Sequence, residues 1–340
     1  MNIKLASILL GITKGLSVRP LTRLRSSSQL SSSAADKSTW QQDVSLQECQ
    51  EIMVVAQQAA MVAGKTIRSH LGCSSEVGGL KESTDFKVKT TIKDIVTQYD
   101  SQAQHAVEDI IRKSFPEHSF LGEENVAPGA AASEQALVDA LQETPSGFVW
   151  ICDPIDGTAN FAAGLPLCGV TVSVIFKGDP IVGVIYDPNS DEMFSAIRGH
   201  GAYLNNNIPL VVAKTTTDIK DAIINAGCPS DPNAFAVSMK GVLALNSKCR
   251  GLRMIACSAL TTAWIAAGRM TAHFGYDLSS WDLVAGALII HEAGGRVTDL
   301  DGSPYKVTTR NMLCSNGAIH DQVLKALKDA DAIAFSRSTS

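Results

Sequence analysis

The sequence predicts an α+β fold, and three observations carry that prediction. Helical and strand patterns both occur, without the regular βαβ alternation of a parallel α/β fold. Three strand-like runs follow one another directly, at 169–176, 181–186 and 192–198. The turn sequences Lys177-Gly178-Asp179-Pro180 and Asp187-Pro188-Asn189-Ser190 separate them, which is the pattern of an antiparallel meander. Long amphipathic helices precede and follow that meander rather than punctuating it.

Taken in order, residues 46–70 carry apolar side chains at helical spacing (Leu46, Cys49, Ile52, Met53, Ala56, Ala59, Ala60, Ala63 and Ile67), and Gly72 follows as a stop. The polar stretch 74–93 reads as an extended loop or hairpin. Residues 94–115 form a second helix with Tyr99, Ala103, Ala106, Val107, Ile110 and Ile111 on its inner face, ended by Pro116. A short strand at 119–121 delivers Glu123 and Glu124. Residues 127–146, rich in Ala, Gly and Pro, read as a loop with one helical turn. The apolar run 148–152 is a buried strand that Pro154 should end, because proline has no N–H to continue the ladder. After the meander, 223–226 is a strand, 233–245 and 258–267 are helices, and 271–274 is a strand. Ser280 is placed to cap a helix reaching Ala293, with Gly294 and Gly295 as its stop. A strand at 312–316 and a helix at 320–329 close the chain, leaving 331–340 as a tail.

The chain has 340 residues, 45% hydrophobic and 19% charged, enough to bury a large core. It contains no apolar run of about 18 residues or more, so no membrane span is expected. Its eight cysteines are scattered, with no CxxC pair and no zinc spacing, which points to a reducing compartment. Residues 1–35 are different in kind. They hold Lys4, Lys14, Arg19, Arg23 and Arg25, eight serines and no acid. Such an arm reads as a cleaved transit peptide for a mitochondrion or, second, a plastid; without that role the protein would be cytoplasmic. Removing its five positive charges leaves 24 basic and 34 acidic residues, a net charge of −10. An acidic body argues against nonspecific nucleic-acid binding and suits a protein that gathers cations.

The most informative segment is Asp153-Pro154-Ile155-Asp156-Gly157-Thr158. Two carboxylates at a strand end can hold a hard divalent cation, and the backbone N–H groups that open a following helix can hold phosphate. An Asp, Pro and Gly-rich turn is the ordinary meaning of such residues. Here the turn follows a buried strand, and a second acidic segment, Trp281-Asp282 through Glu292-Ala293-Gly294-Gly295, lies far downstream.

These segments carry a resemblance. The chain resembles the inositol monophosphatases, of the magnesium-dependent, lithium-sensitive sugar-phosphatase superfamily. The signatures DPIDGTxNF (Asp153 to Phe161) and WDxxAGxxIxxEAGG (Trp281 to Gly295) are intact, and the GEE element is Gly122-Glu123-Glu124. The likeness runs from about Val44 to about Leu327, within a domain of residues 36–330 whose halves are about 44–215 and 216–330. It implies a layered αβαβα sandwich, a homodimer, and a small phosphate monoester as substrate, with inositol monophosphate first. It also implies two or three Mg²⁺ ions per site. Glu123, Asp153 and the Ile155 carbonyl would hold the first, and Asp153, Asp156 and Asp282 the second. Thr158 and Asp100 match the pair that orients and activates the attacking water, with Glu123 counted among the catalytic groups. Asp100 is placed by the run from Asp94 to Asp100, which resembles a DxVTxxD stretch. Asp156, Gly157, Thr158 and Asp282 would contact substrate. Lys89 matches a lysine near a metal-binding loop, and Glu124 has a supporting role.

The resemblance departs at one position. Inositol-selective members hold ring hydroxyls with a glutamate seven residues before the WD aspartate. That position here is Gly275, and the nearest acid, Asp277, is the candidate substrate contact in its place. Histidinol phosphate or another sugar or nucleotide phosphate therefore competes as substrate. A haloacid-dehalogenase-type phosphatase would need a DxDGT motif, whereas two residues, one of them proline, separate these carboxylates. A noncatalytic partner-binding protein on the same fold would show a lost metal ligand, and none is lost.

Overall fold

The computed structural model describes residues 43–73, 87–90 and 95–337. The basic arm 1–35, Asp94 and most of the stretch 74–93 lie outside the described residues. Helix α1 (Leu46–His70) begins at Ser45, whose hydroxyl accepts the Glu48 N–H at 3.1 Å. Its predicted apolar stripe packs inward from Cys49 to Ile67, with Met53 half-buried, while Leu46 is exposed. Ile52 and Ile67 are fully buried, each contributing about 1.5–3 kcal/mol. Strands β1 (Lys87–Val88) and β2 (Ile95–Val96) pair antiparallel. Helix α2 (Gln98–Ser114) starts at Thr97, later than the spacing predicted, because 95–96 is taken up in that pairing.

Strand β3 (Ser119–Gly122) leads into a single 3₁₀ turn, Glu123–Asn125. Residues 127–146 correct the sequence reading, for helix α3 (Ala130–Gln142) replaces the expected loop. Its alanines favour a helix once Gly129 has turned the chain, and Leu137 packs in a small core with Leu121, Val149 and Ile151. Strand β4 (Phe148–Asp156) is a second correction. It runs past Pro154, and its register against β5 (Gly169–Phe176) shifts between Asp153 and Asp156. Proline cannot donate to the ladder, so the pairing breaks there as a bulge and resumes at Asp156 with Gly169. Helix α4 (Thr158–Ala163) follows at once. Strands β6 (Asp179–Asp187) and β7 (Glu192–Ile197) complete the predicted meander, and two short strands, β8 (Ala202–Leu204) and β9 (Ile208–Pro209), extend it.

The second half contains β10 (Ile223–Ala226), α5 (Pro232–Asn246), β11 (Gly251–Arg253), α6 (Ser258–Ala266) and β12 (Ala272–Gly275). It continues with α7 (Ser280–Glu292), β13 (Arg296–Asp299), β14 (Met312–Ser315) and α8 (His320–Asp329). The cap of α7 is Ser279 rather than Ser280, since the Ser279 N–H bonds to Asp282. Strands β8, β9, β11 and β13 were not predicted. They are two to four residues long and lie at or next to sheet edges, where strand patterning is weak.

One sheet has the order β3-β4-β5-β6-β7-β8-β9 and the other β11-β10-β12-β14-β13. Helices α1 and α2 cover the outer face of the first sheet, α6 and α7 fill the space between the sheets, and α5 and α8 cover the second. This is an αβαβα sandwich. Residues 331–337 are not a free tail, for Ala332 is buried and its carbonyl accepts the Tyr276 hydroxyl at 2.6 Å. Among the described residues, no helix is long and apolar enough to cross a membrane.

Candidate active site

The β4 bulge sets the site. Asp153 leaves the strand with one carboxylate oxygen accepting the Ile155 N–H at 2.9 Å. Its own N–H donates to Thr171 Oγ1 at 3.3 Å, and that hydroxyl donates to the Trp281 carbonyl at 2.7 Å. Thr171 thus ties the first acidic motif to the second. Gly157 then adopts φ 88°, a left-handed conformation that disfavours side chains, and a Cβ there would stand 2.8 Å from the Leu167 carbonyl. This turn aims Asp156 at the start of α6, where its carboxylate accepts the Ala259 N–H and the Cys257 thiol. Asp282 comes from the first turn of α7, with one oxygen accepting the Ser279 N–H at 2.7 Å. The capping box leaves its second oxygen for other partners.

Among the described residues, Asp153, Asp156 and Asp282 form one group whose ligand atoms all lie within 4.8 Å of one another. Glu123, Asp156, Gly157, Thr158 and Asp282 line a cavity of about 200 Å³. Asp100 reaches the same place from α2. Its Oδ2 accepts both the Thr97 N–H and hydroxyl, at 2.8 and 2.6 Å, while Oδ1 lies 3.2 Å from Thr158 Oγ1. Thr158 Oγ1 is also 3.1 Å from the Ile155 carbonyl. Lys89 Nζ bridges Glu123 and Glu124 at 2.8 and 2.9 Å.

So much negative charge in so little water disfavours ionisation. Burial, then Glu123, Asp156 and Asp282, raise the Asp153 carboxyl well above its ordinary range. Burial, then Asp156 and Glu123, do the same to Asp282. Burial pushes Asp156 up to about 6, and burial with Glu123 pushes Glu124 up to about 7. Asp100 is raised by burial despite its bonds to Thr97. Burial opposes the charge on Lys89, but Glu123 and Glu124 outweigh it and raise its pKa. The donor set is all oxygen and strongly anionic, which fits a hard divalent cation rather than zinc or copper.

Of the metal-ligand candidates read from the sequence, Asp153, Asp156 and Asp282 form the group, Glu123 lines the cavity with Asp156 and Asp282, and the Ile155 carbonyl lies at Thr158 Oγ1. Asp277 is the exception among the candidate substrate contacts. It is not among the residues lining the cavity; Arg310 and Arg337 hold its carboxylate at 3.1 and 3.2 Å. Its φ of 53° and the bond from its N–H to Asn311 fix it in that direction. Sequence reasoning missed Thr171, Cys257, Asn225 and His273. The last three line the cavity, and only their distant chain neighbours bring them there.

The sequence matches the inositol monophosphatase family over residues 48–332. It is 31% identical over 283 residues to inositol monophosphatase 2 of Solanum lycopersicum, covering 83% of this chain and 100% of that protein. It is 32% identical over 285 residues to Nus factor SuhB of Escherichia coli K12, covering 83% and 98%. The solved extragenic suppressor protein SuhB of Bartonella henselae superposes with a TM-score of 0.71 at 29% identity, over 82% of this chain and 98% of that one.

Proposed function

The chain belongs to the inositol monophosphatase family, and we propose that it hydrolyses a small phosphate monoester, inositol monophosphate or a related sugar phosphate, with magnesium as its cation. The observation that carries this reading is the convergence of Asp153, Asp156 and Asp282 within 4.8 Å, beside Glu123 and a threonine–carboxylate pair. Magnesium held by Glu123, Asp153, Asp156, Asp282 and the Ile155 carbonyl would neutralise the phosphate and acidify the attacking water. The N–H groups of Gly157 and Thr158, at the start of α4, are positioned to hold phosphate oxygens. The Thr158 hydroxyl has one proton to direct at Asp100 or Ile155, so its lone pairs are free to accept one from water. Asp100, whose proton affinity burial raises, receives it through Thr158. The water oxygen joins phosphorus as the ester P–O bond breaks, the leaving alkoxide oxygen takes a proton from solvent, and Asp100 returns its own to solvent.

The site is built for the phosphate more than for the alcohol. Gly275 offers no carboxylate and Asp277 is taken by arginines, so discrimination among small esters should be weak. A panel of phosphate monoesters, assayed for phosphate release with Mg²⁺ and again with Li⁺ added, tests this. We expect turnover of several small esters and inhibition by Li⁺; no release from any of them would sink the reading. The SuhB relatives suggest a second reading, a partner-binding protein, but no metal-ligand acid is missing here.

We also propose that residues 1–35 direct import into a mitochondrion or plastid, from their five basic residues and absence of acids. A fluorescent fusion to these residues should enter an organelle, and reversing Arg19, Arg23 and Arg25 should block entry. Cytosolic fluorescence from the unaltered arm would refute the role.

A further inference from the structure

The cavity has a polar group where the family carboxylate is missing. His273 sits two residues before Gly275 on β12 and is 1% exposed. Strand alternation sends Ala272 and Phe274 into the core beneath α5 and α8, and leaves His273 and Gly275 on the opposite face. His273 pairs in register with Asn225 of β10, and both line the cavity.

Their hydrogen bonds determine the tautomer. Asn225 Oδ1 accepts the Ile255 N–H at 3.1 Å, so the amide NH₂ is the end that faces the ring, with Nδ2 3.0 Å from His273 Nδ1. An NH₂ group only donates, which makes Nδ1 the acceptor and leaves the proton on Nε2. Nδ1 also lies 3.3 Å from the Asn225 carbonyl, but a proton there would oppose the amide donor at the shorter distance. Burial lowers the imidazole pKa to about 4, so the ring is neutral at physiological pH. Nε2 is buried and has no hydrogen-bond partner in the structure. Buried donors rarely lack one. A Cβ built on Gly275 would stand 3.1 Å from Nε2 and 2.6 Å from Leu278 Cδ1, so the free N–H faces the position of a side chain at 275 with the end of the Leu278 side chain beside it, and an oxygen reaches it when that flexible end gives way.

We propose that the Nε2–H of His273 is a specificity-determining contact, donating a hydrogen bond to an uncharged oxygen of the alcohol released; this rests on the phosphatase reading above. Away from the acidic cluster, the cavity is lined by Asn225, Cys228, Pro229, Ser258, Tyr276 and Leu278, none of them charged. The lining therefore suits a neutral, oxygen-rich leaving group. A glutamate at 275 would only accept, and so would select hydroxyl donors. The imidazole N–H donates to hydroxyl, ring-ether and carbonyl oxygens alike. The substrate class it favours is phosphate esters of sugars and related polyols, with tolerance for which oxygen is presented.

The test uses the full chain with Mg²⁺ and two substrates: a hexose phosphate, and an aryl phosphate whose leaving group has no hydroxyls. His273→Phe should lower kcat/KM about 3- to 10-fold on the hexose phosphate and leave the aryl phosphate within about twofold. His273→Gln, which restores an N–H donor, should recover most of that loss. Equal losses on both substrates, or no loss on either, would overturn the proposal. An independent measurement needs no variant. In ¹⁵N-histidine-labelled wild-type protein, the His273 signals should report the Nε2–H tautomer and shift when myo-inositol is added. An Nδ1–H tautomer, or signals unmoved at saturating polyol, would refute the assignment even if the variants failed to fold. Wild-type protein inactive on both esters would instead count against the phosphatase reading, and the labelled-histidine result would still stand on its own.

Discussion

Asp153→Asn should lower kcat by about two orders of magnitude or more, the scale of losing several kcal/mol of electrostatic stabilisation at a reacting centre. Burial and then the charges of Glu123, Asp156 and Asp282 all act on Asp153, and it belongs to the group that it forms with Asp156 and Asp282. On the proposed reading this carboxylate would serve both cation sites, and an amide offers one neutral oxygen in its place. The Ile155 N–H that its carboxylate accepts can still be accepted by the asparagine oxygen, so the bulge itself should survive. Glu124→Gln is the comparison. Glu124 bonds Lys89 and its own N–H donates to Gln104, which makes it a support for Glu123 rather than a member of the 4.8 Å group. Steady-state kinetics on both variants should show the larger loss at Asp153. Equal losses would mean that the ligand assignment is wrong.

The second large effect is on stability. Asp156 and Glu124 hold protons in the folded, metal-free protein up to about pH 6 and 7, whereas unfolded carboxyls lose theirs near pH 4. The folded state binds more protons than the unfolded one across that window, so metal-free stability should fall as pH rises from about 4 to 7. Asp153 and Asp282, raised further, act in the same direction. Lys89 does not alter the sign, because its raised pKa keeps it charged throughout. A cation that binds only the folded state removes the repulsion, and at a hundredfold excess over its Kd adds about 2.7 kcal/mol. Thermal melts with and without Mg²⁺ should therefore diverge with rising pH, with the metal-free curve falling. A metal-free Tm that climbs from pH 4 to 7, or a Tm indifferent to Mg²⁺ at pH 7, would contradict this account of the acidic cluster.

Much of this site is local in sequence, and that part was legible. Pro154 and Gly157 mark the break and turn that present Asp153 and Asp156. Asp282 three residues after Ser279, and Asp100 three after Thr97, are spaced as capping boxes, although the α7 cap was read one residue late. The helix at 130–142 was obscured by its composition, because alanine flanked by glycine and proline signals a loop as readily as a helix. What could not be read depends on sheet register and long-range approach. Thr171 joins residues 18 and 110 positions away, and Asn225 meets His273 across 48. Asp277 looked available because it is the acid nearest Gly275, and only Arg310 and Arg337, from distant parts of the chain, show where it points.

Glu123, Asp153, Asp156 and Asp282 are proposed to act together as a cation-dependent phosphate-ester hydrolysis site. The most direct measurement is phosphate release from a small phosphate monoester by protein stripped with chelator, before and after Mg²⁺ is returned. Four acids packed in a buried cavity repel one another and cannot bind a phosphate dianion unaided. The expected result is no turnover in chelator and recovery with Mg²⁺. Full turnover in excess chelator would contradict the account.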